Sequence, residues 1–143
     1  MSYSFKVLNC SDLFTYEENG LHIVQSKLVL NLMRDDNKLY TITIYPGAKC
    51  DGLSIPVLFR WFLPSWDSNN QLYNVAGLVH DLLYGSELLP KDECDDIFRS
   101  ILRDAGISRF KGSTAEWCVE KFAKSHYGKK HAKYNESNYI SIK

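Results

Sequence analysis

The sequence lacks the features that mark several large classes of protein. No apolar run approaches the roughly 20 residues that a membrane helix needs, and the first residues have neither the basic start nor the long apolar stretch of a signal peptide. Its 17 basic residues balance 17 acidic ones, so no net charge attracts nucleic acid or an anionic membrane. We therefore expect a protein made in the cytoplasm, with no transmembrane segment and no general affinity for nucleic acid.

Paired cysteines are also missing. The chain has four cysteines but no C-x-x-C pair, which argues against a zinc finger and favours free thiols in a reducing cytoplasm. It does have 143 residues, of which 45% are hydrophobic and 13% aromatic, enough to fold around a full core. We predict a single domain over 1–143 that is mainly β in 1–50, mainly helical in 51–128, and ends in a polar, basic tail over 129–143.

A period of two runs from Leu21 to Tyr45. Apolar residues alternate with others along 28–32 and again along 40–44. Residues with turn chemistry at 34–37 separate the two runs, so the pattern predicts a β-hairpin.

Three stretches with a helical pattern follow the hairpin. The first, over 71–85, is apolar on nearly all sides and is closed by Gly85. The second starts near Pro90 and stops at Gly106, and the third starts with a capping box at 113–116. We therefore expect the α+β class, with an N-terminal antiparallel sheet of three to four strands packed against three C-terminal helices.

Within the first helix, the adjacent residues His80 and Asp81 both need partners. Neighbouring helical residues point about 100° apart, so the two side chains cannot serve each other. An unpaired buried polar group costs roughly 1–3 kcal/mol, which makes a partner for each one necessary. Asp95, on the apolar side of the second helix, can orient His80, and Tyr84 lies one turn below His80 on the same face. Asp96, the next residue, is expected in solvent.

This arrangement indicates a division of labour suited to hydrolysis. His80 would activate a water molecule and Asp95 would orient His80. Asp81 would hold a hard divalent cation such as calcium, which prefers oxygen ligands. Asp51 and Gly52 form the best candidate loop for the remaining ligands. The cation would polarise a carbonyl or phosphoryl oxygen while the water attacks.

Structural alternatives stay open for each of these groups. A buried histidine bonded to an aspartate and a tyrosine is also a good way to pin two helices together. Asp51 and Gly52 suit an ordinary tight turn equally well. Ser54 can cap a short helix that starts at Pro56, or it can act as a nucleophile, although it lacks the pair of flanking glycines of a nucleophile elbow.

Four motifs resemble those of a known family. They are Pro46-Gly47, DGLSIP over 51–56, A-x-x-x-H-D-x-x-Y over 76–84 and K-x-x-C-D-x-x-F over 91–98. Together they resemble domain of unknown function 1353, a phage and prophage family with the motifs DGASIP, AAxxHDxxY and RxxADxxF. The resemblance implies a phage or prophage origin and synthesis in the cytoplasm of the bacterial host, and it allows incorporation into the virion, but it brings no established reaction. The residues that depart from the family pattern are Leu53, Lys91 and Cys94. Lysine at position 91 would weaken any bidentate contact that an arginine there makes with a carboxylate.

The H-D-x-x-Y core is also similar to the active site of phospholipase A2. That similarity implies His80 as the base, Asp81 as the calcium ligand and Asp95 as the support for His80, with Tyr84 in the surrounding shell. The chain departs from that family because it has no glycine-rich calcium loop upstream and no cysteines beside the His-Asp pair.

Three functions follow as hypotheses. The first is a metal-dependent hydrolase that acts on an ester in lipid or in the cell envelope. The second is a non-catalytic virion or tail component, or a module that binds a host protein through the aromatic anchors Trp61, Phe62 and Trp66. The third is nucleic-acid binding by the basic segment 129–133, which electrical neutrality disfavours.

Overall fold

A computed structural model describes residues 2–50, 63–64, 66–123 and 136–143, and it describes the backbone alone over 119–123. In the described ranges six strands come before the helices and one short strand follows them, so the α+β class predicted from the sequence is confirmed. In chain order the described elements are β1 (Phe5–Cys10), β2 (Thr15–Glu18), β3 (Leu21–Val24), β4 (Leu28–Arg34), β5 (Leu39–Ile44), β6 (Lys49–Cys50), α1 (Gln71–Ser86), α2 (Lys91–Asp104), α3 (Arg109–Ala123), a 3-10 turn (Glu136–Asn138) and β7 (Ile140–Ile142).

The predicted hairpin is β4 and β5. The two strands pair antiparallel, with Leu28 opposite Ile44 and Leu32 opposite Tyr40. Alternate residues of both strands are buried, because successive side chains of a strand point to opposite faces. Asn37 takes a positive φ of 70° in the connecting turn, a conformation that asparagine tolerates well.

The described strands form two sheets where one was expected, and the main sheet has four strands, in agreement with the three to four expected. The main sheet has the order β1-β4-β5-β7, and a smaller sheet has the order β2-β3-β6. Strand β7 comes from 140–142, within the stretch expected to be a polar tail. It joins the main sheet because Ile140 is buried and pairs with Ile44 at the free side of β5.

Helix α1 is buried on nearly all sides, as its sequence predicts. The side chain of Asn70 caps its first turn by accepting a hydrogen bond of 3.2 Å from the backbone N–H of Tyr73. The helix continues past Gly85, and Glu87 takes the left-handed conformation at its C-terminal cap with φ 56°. Gly85 is therefore not the terminator that we expected. It lies inside the helix where the side chain of Glu136 packs against it.

Helix α3 starts four residues before the expected capping box. The hydroxyl of Ser108 accepts a hydrogen bond of 3.2 Å from the N–H of Lys111, so Ser108 caps the first turn. The predicted box at 113–116 lies inside the helix, where Thr114 donates to the carbonyl of Phe110. The start of α3 is therefore set by a serine that the sequence pattern does not single out.

The hydrophobic core lies between the main sheet and the helices. It joins apolar residues of β4 and β5 to those of α1 and α2 in one buried cluster. All four cysteines of the chain are free thiols. Across the described ranges, no helix has both the length and the apolar character needed to cross a bilayer.

Candidate functional site

Helices α1 and α2 bring His80 and Asp95 together. Nε2 of His80 lies 3.1 Å from Oδ1 of Asp95. Both residues are buried, with 2% of His80 and 6% of Asp95 exposed. The imidazole packs against two aromatic rings, with centroid distances of 4.0 Å to Tyr84 and 4.8 Å to Phe98. The contact predicted from helical spacing is therefore present, in an apolar enclosure.

Two further side chains hold the Asp95 carboxylate. The hydroxyl of Tyr84 donates a short hydrogen bond to Oδ1, the same oxygen that His80 contacts. Nζ of Lys91 lies 2.8 Å from Oδ2, across one turn of α2. Lys91 replaces the arginine of the motif that it resembles, and its point charge makes one contact with one oxygen. All three predicted catalytic residues thus share one hydrogen-bonded cluster, and Lys91 adds a cation that the sequence analysis did not assign to it.

Burial and hydrogen bonding decide the charge of this pair. Burial lowers the pKa of His80, and the hydrogen bond and negative charge of Asp95 restore it only in part. Burial raises the pKa of Asp95, but the hydrogen bonds from His80, Lys91 and Tyr84 outweigh burial and hold that pKa below its ordinary value. Asp95 is therefore a carboxylate beside a neutral imidazole. Because Nε2 faces a carboxylate, Nε2 carries the ring proton and Nδ1 is the basic nitrogen.

Asp81 has different neighbours from His80, as expected for adjacent helical residues. The thiol of Cys50, at the end of β6, lies 3.5 Å from Oδ2 of Asp81, so α1 meets the smaller sheet at this point. Within the described ranges, no group of three or more His, Cys, Asp or Glu side chains is placed to hold a metal ion. Calcium takes about six to eight oxygen ligands, so the single carboxylate of Asp81 could supply only part of such a set. Three other predicted site residues lie outside the described residues: Asp51, Gly52 and Ser54.

The aromatic anchors are described only in part, since Trp61 and Phe62 lie outside the described residues, as does the basic segment 129–133. Trp66 is half-buried, and its indole stacks on the imidazole of His22 with centroids 3.7 Å apart and planes 7° apart. His22 lies opposite Cys50 in the pairing of β3 with β6. Trp66 therefore packs on the same small sheet as Cys50, whose thiol contacts Asp81 of α1.

A second buried charge cluster, which the sequence analysis missed, joins β4, β5 and α2. Nη1 of Arg34 lies 2.9 Å from Oε1 of Glu93, and the hydroxyl of Tyr40 donates a short hydrogen bond to the same oxygen. Burial and this acidic neighbour raise the pKa of Tyr40 to about 12. The helix dipole alone explains an acid in the first turn of α2. The partners of Glu93 lie more than 50 residues earlier in the chain, so no local spacing indicates them.

Comparison with known proteins gives one result, which concerns family membership. The model of the family described as "Protein of unknown function (DUF1353)" matches residues 27–119, more than half of the chain. The matched range contains His80, Tyr84, Lys91 and Asp95. No curated protein matches the chain, and no solved structure matches it. The resemblance stated from the motifs is thereby confirmed at the level of the family, and the chain belongs to the DUF1353 family of proteins of unknown function.

Proposed function

We propose that the chain is a phage- or prophage-encoded hydrolase of ester bonds that uses His80 as its general base. The observation that supports this proposal is the buried pair in which Asp95 accepts a hydrogen bond from the protonated Nε2 of a neutral imidazole. A neutral histidine whose second nitrogen is oriented by a carboxylate is suited to remove a proton from water near neutral pH.

The proton would follow a short route through His80. Nδ1 takes a proton from the attacking water as the new bond to the ester carbon forms. The imidazolium that results is stabilised by the negative charge of Asp95 at Nε2. Tyr84 and Lys91 bind the two oxygens of that carboxylate and so limit its rotation. Nδ1 then gives this proton to the oxygen of the leaving alcohol as the bond between that oxygen and the ester carbon breaks.

A divalent cation of the calcium type would complete the site. Asp81 would supply one carboxylate, and Asp51 and the carbonyl of Gly52 would supply further oxygens. The sequence supports this choice because Asp51 follows Cys50, whose thiol contacts Asp81. When bound, the cation would polarise the carbonyl or phosphoryl oxygen of the substrate. Ser54 would cap the first turn of a short helix that starts at Pro56, with a nucleophilic role as the alternative.

Activity measurements on variants test the proposal. The wild type is assayed with phospholipid vesicles and with a soluble fluorogenic ester, in calcium and in chelator. We expect turnover in the presence of calcium and none in chelator. The activity of the His80→Gln variant should be about 10²- to 10⁴-fold lower than that of the wild type. Calorimetry should show weaker calcium binding in Asp81→Asn. The matched control is Asp92→Asn, which changes an exposed acid of α2. Equal activity of His80→Gln and wild type would refute the base, and no heat of calcium binding would refute the cation.

A non-catalytic role is the second candidate, and the burial of the whole cluster favours it. His80, Tyr84 and Asp95 expose at most 6% of their surface, so they also pin α1 to α2. In that case the chain would be a virion or tail component, or would bind a host protein through a surface that includes Trp66. Mass spectrometry of purified particles of the encoding phage tests incorporation into the virion. A folded wild type that hydrolyses none of the esters and is found in the particles would favour this role.

A further inference from the structure

One edge of the main sheet is covered by side chains of α2. Strand β1 is the first strand in the order β1-β4-β5-β7, so among the strands that the structure describes none pairs with its outer side. The sequence analysis expected Asp96 in solvent, but its side chain is buried. Its Oδ2 accepts a hydrogen bond of 2.8 Å from the N–H of Tyr3. Ser100 Oγ accepts one of 3.0 Å from the N–H of Phe5.

The same series continues to the end of the helix. Oδ2 of Asp104, the last residue of α2, accepts a hydrogen bond of 2.8 Å from the N–H of Val7. The three acceptors are four residues apart on the helix, which is about 6.0 Å along its axis. The three donors are two residues apart on the extended chain, which is about 6.6 Å. The helix and the strand edge therefore stay in step over three consecutive contacts.

Carbonyl groups on this edge are paired as well. Nη2 of Arg99 lies 3.3 Å from the carbonyl oxygen of Tyr3, and Nη2 of Arg103 donates a short hydrogen bond to the carbonyl of Phe5. Tyr3 and Phe5 thus each donate and accept toward α2, as a residue in an antiparallel ladder does toward a neighbouring strand. The pairing of β1 with β4 shifts register between Val7 and Asn9, so a bulge starts where the contacts with α2 stop.

We propose that this polar face of α2, formed by Asp96, Arg99, Ser100, Arg103 and Asp104, takes the place of a fifth strand and prevents a second copy of this chain from adding to β1. An edge strand with free N–H and C=O groups is a template for pairing with another chain. Here carboxylate, hydroxyl and guanidinium groups occupy those positions. Asp96 and Ser100 are buried. These side chains satisfy the edge of β1 without offering a new strand edge to another chain.

A double variant, Ser100→Ala with Asp104→Ala, removes two acceptors and keeps Asp96, which holds the N-terminal segment. We expect the amides of Phe5 and Val7 to exchange roughly tenfold faster, since each loses its hydrogen bond. We also expect the variant to form dimers or larger species in sedimentation velocity at concentrations where the wild type is monomeric. The control is Ser86→Ala with Asp92→Ala, which removes a buried hydroxyl of α1 and an exposed acid of α2 away from this edge.

A proline at Val7 distinguishes edge pairing from general loss of stability. Adding Val7→Pro to the double variant removes the exposed N–H, and proline is tolerated on edge strands. If association runs through β1, the triple variant returns to the monomer while circular dichroism shows it folded. Association that persists in the folded triple variant would overturn the proposal. So would a double variant that stays monomeric although its Phe5 and Val7 amides exchange faster, or one whose amides exchange at the wild-type rate.

Discussion

Nζ of Lys91 lies 2.8 Å from Oδ2 of Asp95, the carboxylate oxygen that His80 does not contact. Both oxygens of Asp95 are therefore occupied, one by the imidazole and the Tyr84 hydroxyl and the other by an ammonium group. The single negative charge of Asp95 is shared between two groups that can be cationic. Removing either of them changes the electrostatic environment of the other.

Replacing Lys91 by methionine should raise the pKa of His80. The positive charge of Lys91 disfavours a second positive charge on the nearby imidazole, and it lowers the pKa of His80 in the wild type. NMR titration of the His80 ring proton on Cε1 measures the change. Lys91→Arg keeps the charge and should leave the titration close to that of the wild type. Lys111→Met, which changes an exposed lysine of α3, is the control, and an unchanged His80 titration in Lys91→Met would contradict the prediction.

Stability should fall on the acid side because of His80. The unfolded chain binds a proton at His80 below about pH 6.5, whereas burial keeps the folded imidazole neutral to a lower pH. The unfolded state therefore holds more protons in this window, and the free energy of unfolding decreases by up to about 1.4 kcal/mol per pH unit as the pH drops. Urea unfolding at a series of pH values measures this slope. It should be smaller in His80→Gln over the same window, and an equal slope in both proteins would exclude His80 as its source.

A second acidic window belongs to Asp95. Its folded pKa lies below its ordinary value, so the carboxylate contributes stability above about pH 4, and that contribution is lost as the pH falls through the folded pKa. In Asp95→Asn this loss should be absent. The variant should also be less stable than the wild type by about 3–5 kcal/mol at pH 7, because Lys91 and His80 lose a buried charged partner. Parallel unfolding curves of the two proteins from pH 7 to pH 3 give both quantities, and curves separated by a constant amount would contradict the assignment.

Tyr40 should make the fold sensitive to alkali. Its folded pKa is about 12, while an unfolded tyrosine ionises near pH 10. Between these values the folded state holds the proton that the unfolded state has lost, so stability decreases as the pH rises. Tyr40→Phe should remove this decrease and cost about 1.5–3 kcal/mol at neutral pH, since Glu93 loses a hydrogen bond to a charged acceptor. The control is Tyr45→Phe, whose hydroxyl forms an exposed hydrogen bond with Ser141.

The sequence predicts those features that depend on local spacing. Alternation over 28–32 and 40–44 gives the β4–β5 hairpin because one face of the pair is buried. Helical periodicity places His80 and Tyr84 on one face, and the apolar side of the next helix places Asp95 toward them. In each case the pattern repeats within a few residues, and burial of one face then fixes the orientation.

Contacts that join distant parts of the chain could not be predicted in this way. Asp96 has the same local pattern as a solvated acid of a helix surface, and its partner is the backbone of Tyr3, 93 residues earlier. Strand β7 has three residues, too few for a clear periodic pattern, and its partner β5 lies far earlier in the chain. Such partners follow from topology, which a periodic pattern does not encode.

Gly85 gives a prediction of this long-range kind. Replacing a glycine inside a helix by alanine ordinarily stabilises it by about 0.5–1 kcal/mol, because glycine loses more backbone entropy on folding. At Gly85 a Cβ would lie 2.3 Å from Oε2 of Glu136 and 2.6 and 2.8 Å from its Cδ and Cγ atoms. Turning the carboxylate alone does not relieve contacts with three consecutive atoms, and Glu136 is buried. Gly85→Ala should therefore destabilise the protein, by about 1–3 kcal/mol as in other overpacked sites.

A double-mutant cycle decides whether Glu136 is the cause. In a Glu136→Ala background the obstructing atoms are gone, so Gly85→Ala should become stabilising by about 0.5–1 kcal/mol. Gly112→Ala is the matched control, since Gly112 lies within α3 and an added Cβ there meets no described atom within 4 Å. It should be stabilising in both backgrounds, with urea unfolding as the measurement. If Gly85→Ala were equally destabilising with and without the Glu136 side chain, the glycine would be required for the backbone of α1, and its contact with the C-terminal segment would not be the reason for its presence.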